Sequence, residues 1–315
     1  MYSSPLNHTM VTFFYIKGIT DVSELQILIL IPVLLMYFIT LGGNMIILLL
    51  ICLDHHLHNP MYFFLANLSI VDMSSSTITL HKVLIIFITG DHMVSYPACI
   101  TQMYIFASLI GHELLLLSAM SYDRYVAICN PLRYHMIMNS RVCLLLAVSC
   151  YLMGFIQVLP AITIFSSFTC YTSNEINHFF CDMVPLIKII CNDTSVFDIV
   201  FLFQGIFVIT LLPFLFTFIS YIFIISTILR IHSNTGKRKA FFTCSSHLTV
   251  VILLYSTLVS QYLTPTSLGT LNAKKMFSLF NTAAVPMLNP LIYSLKNKDV
   301  KSAVKRRLGF CKIIG

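Results

Sequence analysis

Residues 25–53, 142–174 and 199–229 each run for the thickness of a bilayer without a single Asp, Glu, Lys or Arg. A helix that spans a membrane needs about 20 mostly apolar residues, so these stretches are long enough to do so. Composition agrees: 57% of the 315 residues are hydrophobic and 10% are charged, where a soluble domain carries about 25% charged residues. Joining shorter apolar stretches across Asp72, Lys82 and Glu113 yields seven spans, at 23–53, 60–87, 96–128, 141–165, 197–231, 239–262 and 273–295. No Pro/Gly/Ser-rich linker or composition shift divides the chain. The expectation is an all-α membrane protein, a seven-transmembrane helix bundle forming one domain over 1–315. Residues 1–22 would precede the bundle at 23–295, and 296–315 would follow it.

All of the 19 basic residues except Lys17, Lys82, Lys188, Lys274 and Lys275 fall on the side that holds the C-terminus. The positive-inside rule then places the C-terminus in the cytoplasm and the N-terminus outside. Basic residues that flank apolar helices read as topology and headgroup contact, which argues against a nucleic-acid partner. No basic segment followed by a short apolar core opens the chain, so the first span is expected to be its own insertion signal. Asn7-His8-Thr9 is a glycosylation sequon on the outer side. Asn192-Asp193-Thr194 is a weaker one beside a constrained cysteine, and Asn67-Leu68-Ser69 falls inside a span.

Cys99, Cys170, Cys181 and Cys191 lie on the outer side, where oxidising conditions favour two disulfides. Four cysteines allow three pairings and spacing does not choose among them. Cys311, within a basic segment, is a palmitoylation candidate. The histidines at 55, 56 and 58, and the run His178-x-x-Cys181-Asp182, suggest metal clips. A metal site needs more ligands in fixed geometry, so neither is expected to bind one. No Ser/His/Asp set, phosphate loop or dinucleotide turn is visible, so catalytic residues are not expected.

The segment "MSYDRYVAIC" (120–129) sets an Asp–Arg pair at the end of the third span. Cys99 and Arg124 are 25 residues apart, about 37 Å at helical rise, enough to cross hydrocarbon about 30 Å thick. One helix would thus carry a cysteine at its outer end and an arginine at its inner end. This resembles the third helix of a rhodopsin-like G-protein-coupled receptor. The blocks "MSYDRYVAICNPLRY" (120–134), "NPMYFFLANLSIVD" (59–72), "KAFFTCSSHLTVV" (239–251) and "PMLNPLIYSLKNKDVK" (286–301) narrow the resemblance to the vertebrate olfactory receptors. They occur in order along nearly the whole chain. Departures include Phe242 where the family usually has serine, and His112 and Leu114 beside the family glutamate, Glu113.

The resemblance implies that Cys99 pairs with Cys181 and Cys170 with Cys191. It also turns the Met103, Phe106, Ala107 and Ile110 face, which recurs at helical spacing, into a pocket wall, with Gly111 one step deeper. Gly205, Ile206 and Ile209 of the fifth span would face it, and Leu258, Tyr262 and Thr282 would complete it. Phe106 stands where amine receptors carry an aspartate. A buried ammonium without a carboxylate is costly, so the implied ligand is a small, neutral, hydrophobic odorant.

Asp72 and Glu113 are the acids deep inside spans, where ionisable groups count as functional by default. Related receptors hold sodium in the corresponding region, and Asn44, Ser118 or Asn289 would add oxygens. A proton shared between two neighbouring carboxyls is the alternative. The resemblance makes Asp123, Arg124 and Tyr125 the inner switch, with Arg124 held by Asp123 until released to a heterotrimeric G protein of the stimulatory olfactory type, raising cyclic AMP. Tyr221, Tyr255 and Tyr293 are candidates to take part, with Asn289 beside Pro290; Pro213 and Pro290 supply bend points. After Leu295, Val300, Ala303, Val304 and Leu308 share one side of an amphipathic segment suited to anionic lipid. The expected location is the plasma membrane. The alternatives are a rhodopsin-like receptor for another small ligand and a transporter, though no internal repeat supports the latter.

Overall fold

In the computed structural model, residues 11–20, 23–263, 271–296 and 298–314 are described. Helices α1 (Ser23–Leu53), α2 (Pro60–Thr89), α3 (Tyr96–Cys129), α4 (Ser140–Ser166), α5 (Ser195–Arg230), α6 (Asn234–Tyr262) and α7 (271–296) form a bundle, followed by α8 (Lys298–Ile314). Six of them are long and apolar enough to cross a membrane. The seventh, α7, packs against α1, α2 and α6 and closes the ring. The chain is a multi-pass membrane protein with the seven-helix architecture.

Helix ends follow local chemistry and overrun several expected boundaries. Asn59 caps α2 by accepting from the Tyr62 N–H at 3.3 Å, with Pro60 at the first helical position. At the other end Gly90 adopts φ +70°, a left-handed stop that suits glycine, so α2 runs on to Thr89 and not just to residue 87. Ser233 caps α6 through the Gly236 N–H. Helix α6 therefore begins at Asn234, five residues before its apolar run, because a helix need not end where hydrocarbon does. Lys82, buried in α2, reaches the Met93 carbonyl at 2.7 Å.

Helix α3 touches α2, α4, α5 and α6. Of its most apolar stretch 67% is buried, against 6% for α5; Phe203, Phe207, Phe216 and Phe218 of α5 are left facing outward. Between helices in lipid there is little hydrophobic drive, and small residues permit close packing. Gly154 of α4 shows this: a Cβ there would lie 2.9 Å from the Ser108 carbonyl oxygen and 3.0 Å from the His112 Cβ of α3. The His112 ring stacks on Tyr151 at 3.8 Å.

A small sheet, not anticipated from the sequence, caps the Cys99 end. Strands β1 (Phe13–Ile16), β2 (Met93–Ser95) and β3 (Glu175–Ile176) lie in the order β2-β1-β3, with β1 antiparallel to β2 and parallel to β3. Phe14 and Ile16 point inward and are fully buried, while Phe13 and Tyr15 point out. The inward pair joins a core of Cys99, Phe165, Ile176, Cys181 and Phe197. Cys99–Cys181 and Cys170–Cys191 are both bonded, with Cα atoms 5.4 and 5.2 Å apart. Gln102 of α3 accepts from the Cys181 N–H at 3.0 Å, so the loop between α4 and α5 is held to α3 twice.

At the opposite end α8 packs on the α1–α2 turn with Val300 and Ala303 buried. Arg306 pairs with Asp54 at 2.6 Å, Arg307 donates to the Leu53 carbonyl, and the Tyr62 hydroxyl donates to Asp299 at 3.2 Å. The guanidinium holds the Asp54 carboxyl well below the usual carboxylate range. His56 shares that carboxylate at 2.9 Å, while His58 turns away to the Ile51 carbonyl. Asn7 lies outside the described residues, as do the side chains of Leu308 and Cys311. The Asn192 side-chain oxygen accepts from the Thr169 and Cys170 N–H groups.

Gly154→Val is expected to cost about 1–3 kcal/mol through overpacking. The check is a lower melting temperature of the detergent-solubilised chain, with Gly154→Ala intermediate.

Candidate ligand-binding site

A cavity of about 180 Å³ lies between α3, α5 and α6 below the sheet. Met103, Phe106, Ala107 and Ile110 form its α3 wall, Gly205, Ile206 and Ile209 its α5 wall, and Leu258 and Tyr262 its α6 wall. Two expected members are elsewhere. Gly111 is a helical step round from Ile110 and faces α4, where a Cβ would collide with the Gln157 side-chain amide. Thr282 is buried against α2: its carbonyl accepts from Ser76 and its hydroxyl donates to the Ser278 carbonyl, both at 2.9 Å. Phe201, Leu202, Thr210 and Val259 also line the cavity and were missed.

Leu202, Thr210 and Val259 share a cause. Helix α5 is π-helical over Leu202–Leu211 and α6 over Val259–Leu263, so the 3.6-residue period no longer predicts which side chain faces in. Thr210 donates to the Gly205 carbonyl at 2.7 Å, five residues back, in keeping with the wider turn. Such wide turns recur at functional sites.

Asp182 and Met183, from the loop between α4 and α5, form the roof. The expectation that no acid lines the cavity therefore fails. Cys181 is tied to α3, so the next residue is delivered over the cavity mouth, a placement that no periodicity within a helix could reveal. The Asp182 carboxylate is buried and accepts from Gln261 Nε2 at 3.2 Å. Burial pushes its carboxyl up to about 6, against the pull of Gln261, nearby backbone N–H groups and Lys274. Phe106 meets Phe180 of the same loop edge to face at 4.9 Å.

Deeper in the bundle, the Asn289 Nδ2 donates to both oxygens of Asp72 at 3.0 Å. Glu113 Oε1 and Asn289 Oδ1 are buried without a hydrogen-bond partner. These orphaned oxygens fit a cation or a proton. Ser118 does not join them, because its hydroxyl engages the Leu114 and Pro213 carbonyls and Thr217 on the α5 side. The Asn44 Nδ2, but not its oxygen, is committed to the Thr40 and Pro286 carbonyls.

At the far end of α3, Arg124 grips Asp123 at 2.6 and 3.1 Å, and the Tyr134 hydroxyl donates to the other Asp123 oxygen at 2.7 Å. Tyr221 is occupied by His247 Nδ1 at 2.8 Å, and His247 Nε2 meets the Leu117 carbonyl at 3.0 Å. His247 lies within the sequence block 239–251, but nothing in its spacing showed that it would link α3, α5 and α6. Tyr255 packs on Phe214, Tyr125 on Phe223, and Tyr293 is buried. Pro290 sits against Gly43 of α1, where a Cβ would come within 3.1 Å.

His178 lies under the sheet, stacked on Phe179 at 4.6 Å. With Cys181 in a disulfide, the suspected His-Cys-Asp clip has lost its thiolate. Burial, reinforced by the Lys275 charge, lowers the His178 pKa to about 3. Its stabilising contribution is complete above the unfolded value of about 6.5 and is lost as pH falls toward 3. Asp182 has the opposite sign, since a raised pKa contributes at low pH and the contribution is lost as pH rises through about 6. Between pH 7 and 5 the two oppose. His178→Phe is therefore expected to make the change in melting temperature from pH 7 to 5 more favourable than in the unmodified chain.

The family profile described as olfactory receptor matches residues 33–310. Mouse (Mus musculus) olfactory receptor 5AR1 is 44% identical over 303 residues, covering 96% of this chain and 97% of the relative. Human (Homo sapiens) olfactory receptor 5B12 is 45% identical over 308 residues, covering 97% of each. These relatives are receptors and not enzymes. With a seven-helix bundle, a disulfide-held roof and an Asp–Arg pair at the far end of α3, this chain belongs to the olfactory receptor family.

Proposed function

We propose that this protein is an odorant receptor of the plasma membrane that binds small, uncharged, hydrophobic volatiles between α3, α5 and α6. Occupancy then activates a stimulatory, olfactory-type G protein and raises cyclic AMP. The observation that carries the reading is the placement of a largely apolar cavity and the Asp123–Arg124 pair along one helix, α3. An apolar cavity of about 150 Å³ in another protein holds benzene, so about 180 Å³ suits a ligand of one substituted ring. A ligand that fits the active bundle better raises its population, and Arg124, freed from Asp123, then meets the G protein.

The basic residues orient the bundle with the disulfides outside and α8 along the anionic inner leaflet. Asp72, Glu113 and Asn289 would hold a sodium ion, which supplies the positive charge that two buried carboxylates need; a shared proton would serve the same end.

In cells supplied with the olfactory-type stimulatory G protein, some members of a panel of ring-sized neutral volatiles should raise cyclic AMP. Arg124→Ala should abolish the rise while surface expression persists. Gly205→Phe has room to enter the cavity, since the nearest atom to a Cβ there is 4.0 Å away. It should raise the half-maximal concentration at least about tenfold, about 1.4 kcal/mol of binding. A full response in Arg124→Ala would refute the coupling reading.

A further inference from the structure

Resting on the reading that this cavity is the ligand site, we infer that its roof selects ring-sized ligands bearing a hydroxyl group, alcohols and phenols, over matched ethers and over amines. The argument starts from what each polar group at the cavity still has to offer. An ionised carboxylate has about four acceptor positions. Gln261 Nε2 donates to Asp182 at 3.2 Å and the carboxylate makes no cap hydrogen bond to the helix that follows it, which leaves acceptor capacity on a group that lines the cavity. Thr210 has spent its proton on the Gly205 carbonyl and can only accept. Tyr262 lies on the same lining, and its hydroxyl can donate. The roof of an otherwise largely apolar cavity thus presents the Asp182 acceptor, with a phenolic donor on the same lining.

A ligand hydroxyl satisfies both: it donates to Asp182 and accepts from Tyr262. An ether or ester of the same size can only accept, and it would leave the buried carboxylate facing an apolar group. Such an unpaired acceptor is disfavoured, and sites built to hydrogen-bond a substrate hydroxyl reject analogues that lack it.

An ammonium ligand could also donate to Asp182, but the surroundings oppose it. Asp182 also lines a second, small pocket together with Lys188, Lys274, Lys275 and His178. Lys275 is tied to Asn177 and to the Gly18 carbonyl at 2.8 and 3.1 Å, so that charge is fixed in place. Three lysines against one carboxylate make the roof net positive, which repels a cation approaching from that side. A carboxylate ligand would gain from the lysines but would have to lie against Asp182 inside the cavity.

The test uses the purified full-length chain in detergent without G protein, with binding read from ligand-dependent melting temperature. The probes are cyclohexanol, phenol and benzyl alcohol, each against its methyl ether, with benzylamine and benzoate beside benzyl alcohol. At least one alcohol should bind about tenfold more tightly than its ether and more tightly than the charged probes. Asp182→Asn should bring alcohol and ether within about threefold by weakening the alcohol alone. Equal or tighter binding of the ethers, tighter binding of benzylamine or benzoate, or no binding by any probe would overturn the inference. The comparison in the unmodified chain needs no variant, so a misfolded Asp182→Asn does not spoil it. Alcohol binding without a cyclic-AMP response would sink the coupling reading and leave this one standing; binding with no preference for the hydroxyl would do the reverse.

Discussion

Hydrocarbon supplies no partner for an N–H or C=O group, so a chain that crosses it must satisfy its backbone internally, as helix or closed barrel. With stretches of this length and apolarity the helix is the available solution, and the remaining features follow from where the few polar side chains can go. They turn inward. Asp72, Glu113, Asn289, His247 and Asp123 are all buried, and each sits on or against α3, the helix with the most neighbours. Phenylalanines that would form a core in water cover the outside of α5 instead. The bundle is the inverse of a soluble one in what it exposes, and close approach at Gly154 and Gly43 does the work that oily burial does elsewhere.

Where the hydrocarbon ends, ordinary water-soluble physics resumes. The roof has its own apolar core, with Phe14 and Ile16 alternating with exposed neighbours along β1, the two-residue period of a half-buried strand. Two disulfides hold the α4–α5 loop over the bundle. At the other end, the Arg306–Asp54 pair and the Tyr62–Asp299 hydrogen bond fasten α8 to the α1–α2 turn. The ends are tied by directional bonds because packing in lipid does not fix them.

The Asp182 result shows how one residue changes the chemistry of a site. Phe106 removes the helix-borne carboxylate that an amine would need, and by that reasoning the cavity should hold no acid. The carboxylate arrives instead from the loop, in company with lysines that alter its meaning. Charge at a binding site has to be summed over everything that faces it, including groups brought in by a covalent tie far along the chain.

The helices, their number and the shared face of Met103, Phe106, Ala107 and Ile110 on α3 could be read from the order of residues alone; that this face lines a cavity came from family likeness. Hydrophobic runs and helical spacing are local properties, and a helix in lipid obeys them whatever its neighbours do. The two disulfide pairings came from family likeness, since four cysteines leave the choice open. Other features belong to the assembled bundle. Gly111 and Thr282 turn away from the cavity because rotation about a helix axis is set by neighbouring helices. The α5 and α6 linings gain Leu202, Thr210 and Val259 where those helices widen to π turns. Strand β1 exists because segments some eighty residues apart meet over the bundle. Asp182 faces the ligand space because a sulfur bridge positions the residue before it. Each depends on contacts between distant parts of the chain, which no local pattern encodes.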